Sequence, residues 1–185
     1  MDVLCIIGHP RSGTTYTTRC LQRLGRRIDH ESMGEDGTCG GNALWLRAAA
    51  GAQKRYILQV RQPEKVIASL PCIGQRLVLK WARRLDGWRQ YQTACRTVQH
   101  AASWVLHTRL ALEHAEWHYR VEDLGVDRRV TGRVLEAAGL PGDLRWPTIS
   151  RQTNSRRHGP ADLSVLPQEL VDGIAELKEV LGYES

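Results

Sequence analysis

Val3-Leu4-Cys5-Ile6-Ile7-Gly8-His9-Pro10-Arg11-Ser12-Gly13-Thr14-Thr15 holds the residues from which the fold class follows. A continuous apolar run of five, closed by glycine, reads as a strand buried on both faces, as in a parallel sheet. Beyond Gly13, the residues Tyr16, Cys20, Leu21 and Leu24 recur at helical spacing, and Gly25 supplies a stop. Strand, glycine loop and helix in that order open an α/β fold. The loop between them keeps the G-x-x-x-x-G frame of a phosphate-binding turn, from Gly8 to Gly13.

The same alternation continues along the chain. Residues 27–30 make a short second strand, followed by a glycine- and aspartate-rich stretch at 34–41 that reads as loop and a helical pattern over 42–50. Residues 56–60 form another buried strand, and Pro63 then sits in the first turn of a helix whose apolar face is Val66, Ile67 and Leu70. From 75 to 112 the pattern is helical with a break near Asp86-Gly87, and Trp81, Trp88 and Trp104 are assigned to the core. Residues 117–121 give a third clear strand, 127–138 a helix ended by Gly139 and Pro141, and 166–181 a closing amphipathic helix capped by Gly182. The expected architecture is a three-layer, P-loop-like α/β fold with a short central parallel sheet flanked by helices. With 185 residues and no repeat or linker, one domain over 1–185 is expected.

The loop carries the chemistry. Thr14 stands where a nucleoside triphosphatase places lysine, so the cation that grips the β- and γ-phosphates is missing and a P-loop kinase becomes the second choice. The rest of an anion site is present. Glycines let the backbone approach, amides at the helix start face an oxyanion, Thr14 and Thr15 add hydroxyls, and Arg11 supplies a forked cation. A phosphosulfate suits such a loop. His9 is read as positioning the backbone rather than as a base.

The string Pro10-Arg11-Ser12-Gly13-Thr14-Thr15 resembles the 5′-phosphosulfate loop of sulfotransferases that use 3′-phosphoadenosine 5′-phosphosulfate (PAPS), above all the protein-tyrosine and glycan branches and their bacterial relatives. A second stretch, Val60-Arg61-Gln62-Pro63-Glu64-Lys65-Val66-Ile67-Ala68-Ser69-Leu70, resembles that family's 3′-phosphate element. The resemblance implies that Arg61 and Ser69 hold the 3′-phosphate. Tyr119-Arg120-Val121-Glu122-Asp123-Leu124 and Thr153-Asn154-Ser155-Arg156-Arg157-His158 are similar to two further family segments. From the second of these, Arg156 and Arg157 are carried over as phosphate contacts.

Sulfuryl transfer needs a base beside the loop and positive charge where the leaving oxygens gather electrons. Relatives place a catalytic glutamate at about the distance of Asp29-His30-Glu31, which makes Glu31 the first choice and His30 the second, since imidazole titrates near neutrality. Arg11 completes the catalytic set. No metal is expected, because no carboxylate stands like a Walker-B aspartate and no ligand cluster is spaced for zinc. The acceptor stays open among sugar hydroxyl, phenol, peptidyl tyrosine and small metabolite.

Composition sets the remaining bounds. Lys and Arg number 26 against 20 Asp and Glu, a net charge of +6; the scattered basic residues fit a small polyanion at least as well as a nucleic acid, and the lack of a basic stripe interleaved with aromatics argues against a nucleic-acid surface. Five dispersed cysteines without a C-x-x-C pair read as reduced thiols. The first apolar run is too short for a signal core, and no run approaches the ~20 residues that span a bilayer, so a cytoplasmic protein without a membrane partner is expected.

Overall fold

In the computed structural model, which describes residues 3–32, 34, 39–42, 54–73, 75–149 and 161–183, the opening apolar run forms strand β1 (Val3–Gly8). It lies in the middle of a five-stranded sheet, flanked by β3 (Cys39–Asn42) and β4 (Lys54–Val60), with β2 (Asp29–His30) and β5 (Trp117–Arg120) at the edges. Every pairing is parallel. Cys5 is paired with both Cys39 and Tyr56, which fixes the register of the three inner strands.

Alternation along the strands explains the three layers. Cys5, Ile7, Leu58 and Val60 face one side, packing against helices α2 (Pro63–Ser69), α4 (Arg96–His114) and α6 (Gln168–Val180). Leu4, Ile6, Ile57 and Tyr119 face the other, against α1 (Thr14–Arg23) and α5 (Arg128–Ala137). Because both faces are covered, the inner parts of β1 and β4 need apolar sequence, and Val3 to Ile7 and Tyr56 to Leu58 supply it. Helix α3 (Gln75–Ala82) packs on α4, and the break expected near Asp86-Gly87 separates the two helices. Trp88 and Trp104 are buried in the first cluster and Trp81 packs against it, as their assignment to the core requires. Pro63 occupies the first turn of α2, and Asp127 caps α5 by accepting from the amides of Arg129 and Val130.

Residues 39–41 correct the reading of 34–41 as loop. Cys39, Gly40, Gly41 and Asn42 form β3, an inner strand. Glycine is a poor strand former on its own, but here α1 lies so close that a Cβ on Gly40 would collide with the Thr18 hydroxyl. Close helix packing, rather than a turn, explains the glycine. Asn42, expected to begin a helix, ends β3, and the remainder of that expected helix lies outside the described residues.

The chain leaves β1 through α1 toward β2 and β3, while β4 lies on the opposite side of β1. The carboxyl end of β1 is therefore the point where the strand order reverses, the place where open parallel sheets form a ligand crevice. The loop at residues 9–13 occupies that point.

Candidate active site

The loop is shaped by ties to its own carbonyls. Ser12 donates both its amide, at 3.0 Å, and its hydroxyl, at 2.7 Å, to the His9 carbonyl and closes the turn. Two residues in it have left-handed backbone, Arg11 at φ 76° and Gly13 at φ 94°. Gly13 suits its place on a second count, since a Cβ there would lie 3.1 Å from Val121 Cγ2 and 3.2 Å from Gln59 Nε2. A non-glycine residue at φ 76° carries strain, which clusters at functional sites.

Each successive carbonyl is held. The His9 ring Nδ1 lies 2.7 Å from Pro10 O, Arg61 Nη1 donates to Arg11 O at 3.3 Å, and Gln59 Nε2 donates to Ser12 O at 2.7 Å. Gly13 O accepts the amides of Tyr16 and Thr17 in the first turn of α1. With the acceptors occupied, the amides of Gly13, Thr14 and Thr15 have no acceptor among the described residues. A loop whose oxygens are tied back and whose N–H groups are left over is built for an anion.

Gln59 is the support beneath it. Fully buried on β4, it accepts from Thr17 Oγ1 at 2.6 Å and from Tyr119 OH at 2.7 Å while donating to the loop. Burial pushes the Tyr119 hydroxyl well above its usual pKa, so it stays a donor. This satisfied buried network fixes the loop on two strands and a helix at once.

On the β2 side, His30 Nε2 lies 3.1 Å from Thr14 Oγ1 and 3.0 Å from Thr15 Oγ1. The ring is half-buried, and its pKa is lowered from 6.5 first by burial, with Arg19 adding to this and Glu31 and Asp29 opposing. Near neutral pH it is an uncharged imidazole with a lone pair to offer. Glu31 follows at φ 57°, its amide bonded to Gly40 O at 2.8 Å, and its side chain is exposed.

No protein-family model matches the chain, and no curated protein matches it. Among solved structures it is similar to the crystal structure of a sulfotransferase from Alicyclobacillus acidocaldarius, with a TM-score of 0.55 at 12% identity, over 100% of this chain and 97% of that one. The fold is that of a sulfotransferase. Identity this low speaks for the path of the chain and leaves side-chain roles to the geometry.

Within this sulfotransferase-like fold, the residues expected to act come together unevenly. Pro10, Arg11, Ser12, Gly13, Thr14 and Thr15 share the loop, His30 touches it, and Arg61 reaches it from the end of β4. Ser69 is buried and donates to the Val66 carbonyl at 2.9 Å, so its hydrogen is committed within α2. Arg156 and Arg157 lie outside the described residues. Among the described residues no three His, Cys, Asp or Glu side chains come together as metal ligands, and no helix is long and apolar enough to cross a membrane. Among the described residues, Cys5, Cys20 and Cys95 form no disulfide bond.

Sequence reasoning missed Gln59 and Thr17, and named Tyr119 only within a segment of resemblance, without its bond to Gln59. The signal for Gln59 was available, since it is the one amide in the apolar strand Tyr56-Ile57-Leu58-Gln59-Val60. A polar side chain in a strand buried on both faces needs a partner, and the nearest partners are at the loop.

Proposed function

We propose that this chain is a single-domain cytoplasmic sulfotransferase that moves the sulfuryl group of PAPS to a hydroxyl or amine acceptor. The observation that carries this reading is the tied loop with Arg61 bonded to it: an anion cradle and a strand-end guanidinium side by side at the switch point of the sheet. Two separate anionic ends on one nucleotide suit that pair. PAPS has them, the 5′-phosphosulfate for the loop and the 3′-phosphate for Arg61 with Arg156 and Arg157, and for Ser69 once its hydroxyl turns away from the Val66 carbonyl.

In the proposed reaction the acceptor oxygen or nitrogen forms a bond to sulfur as the bond from sulfur to the bridging phosphate oxygen breaks. The acceptor proton passes to a base, and the electron pair stays on the leaving phosphate. The free amides at 13–15 and the Arg11 guanidinium meet that growing charge. His30 is favoured as the base over Glu31, because its uncharged Nε2 lies against the two loop threonines, whereas the Glu31 side chain is exposed. Glu31, close enough to raise the ring's basicity, supports the imidazolium that forms.

A nucleotide panel tests the reading. Adenosine 3′,5′-bisphosphate, the product nucleotide, is expected to bind without magnesium and with its phosphates at the loop and at Arg61. Preference for magnesium ATP over the bisphosphate would restore the kinase reading, which Thr14 in place of the loop lysine speaks against.

A further inference from the structure

Behind the loop, on the α4 side, lies a cluster of buried polar residues that the proposed chemistry does not use. His9 is buried, and its Nε2 lies 3.1 Å from Ser103 Oγ on α4. His107, one turn further along the helix, meets the His9 ring edge-on with centroids 5.1 Å apart. Ser103 and His107 are themselves buried, which keeps bulk solvent away from the His9 ring.

The contacts fix the proton. Pro10 O only accepts, so the 2.7 Å contact requires the hydrogen to be on His9 Nδ1. An uncharged ring then has a lone pair on Nε2, and Ser103 Oγ–H donates to it. Burial, then the neighbouring His107 and His100, hold the His9 pKa well below 6.5, while the bond to Pro10 opposes them. Nothing in this arrangement brings His9 to a reacting atom.

We propose that His9 is a positioning residue, a neutral Nδ1-protonated imidazole braced by Ser103 that turns the Pro10-Arg11 peptide so that its N–H joins the anion-binding side of the loop. A trans peptide directs C=O and N–H in opposite senses, and no cis bond occurs among the described residues, so holding the Pro10 carbonyl toward the ring sends the Arg11 amide the other way. Arg11 takes up left-handed backbone in the same turn. His9 does for the Arg11 amide what Gln59, through the Ser12 carbonyl, does for the Gly13 amide, but it draws its support from α4 instead of β4. The inference rests on the reading that the loop takes the 5′ end of the nucleotide.

The test measures calorimetric affinities of two probes, adenosine 3′,5′-bisphosphate and adenosine 3′-monophosphate, on the wild type and on His9→Leu, His9→Asn and His9→Gln. Leucine is expected to weaken the bisphosphate about 10- to 100-fold, the worth of one hydrogen bond to a charged group, and to leave the monophosphate unchanged. Asparagine, whose amide nitrogen takes the place of Nδ1, restores the bisphosphate to within a few-fold, whereas glutamine, which mimics Nε2, does not. Equal losses for both nucleotides, no loss, or equal behaviour of asparagine and glutamine overturns the proposal. Should leucine not fold, the asparagine and glutamine comparison decides. Independently, nitrogen-15 shifts of the His9 ring at pH 7 are expected to show a protonated Nδ1 and a bare Nε2, and the reverse pattern or a cation also overturns it. A wild type that does not bind the bisphosphate sinks the donor reading instead, and the ring's tautomer still reports on the brace.

Discussion

A single imidazole at position 30 stands between the two threonines of the loop and the crevice. His30→Asn is expected to lower turnover about 10²- to 10⁴-fold, the usual worth of a general base, with the affinity for adenosine 3′,5′-bisphosphate nearly intact. Glu31→Gln is expected to cost less and to move the acidic limb of the rate profile to lower pH, since the carboxylate raises the pKa of the ring beside it. A larger loss from Glu31→Gln than from His30→Asn, in steady-state rates at saturating PAPS, would return the base to Glu31. Arg61→Ala makes a different measurement. It is expected to weaken binding of the 3′,5′-bisphosphate far more than of adenosine 5′-monophosphate, and equal losses would dissociate Arg61 from the 3′ end.

At the level of elements, the loop depends on β4 as much as on β1. Gln59→Met removes one side chain and leaves Thr17 Oγ1, Tyr119 OH and Ser12 O without their buried partner. The expected loss is roughly 3 kcal/mol of unfolding free energy, measured by urea denaturation, because orphaned buried polar groups keep their desolvation cost. A variant as stable as the wild type would show that water replaces the amide. This support also marks how far the sequence could be read. Strands β1 and β4 and their following helices were legible because apolar runs ended at Gly8 and Arg61, β5 because Trp117, Tyr119 and Val121 alternate with polar residues before Glu122, and the loop because its residues are contiguous. Strand β3 was not, since Gly40 reports a close approach by Thr18 that only the packed helix reveals. His9 with Ser103, 94 positions apart, and Gln59 with Thr17 and Tyr119 were hidden for the same reason: local pattern does not encode which distant side chain satisfies a buried group.

Across the whole molecule, buried uncharged histidines couple stability to acidity. His100 and His107 have pKa values pushed down to about 4, chiefly by burial with Arg96 adding at His100, and His9 is lowered as well. Folded values below the unfolded 6.5 mean that, as the medium becomes acidic, the unfolded chain takes up protons that the native one refuses. The stability these rings contribute is therefore fully present above pH 6.5 and falls toward pH 4, by up to roughly 1.4 kcal/mol per pH unit for His107 and less for the partly screened His100. Denaturation midpoints at pH 7.5, 6 and 5 are expected to decline in that order, and a flat series would mean that the rings are hydrated or paired. The anchors of the loop's carbonyls have a further consequence. They come from the loop itself, from the first turn of α1, from β4 and from the residue that follows it, with Ser103 of α4 behind His9, and among the described residues none comes from β2 or β3. On the proposed function the sheet separates grip from choice: the β2 flank, His30 apart, can be rebuilt over generations to greet new molecules while the opposite flank keeps its hold on an unchanging nucleotide.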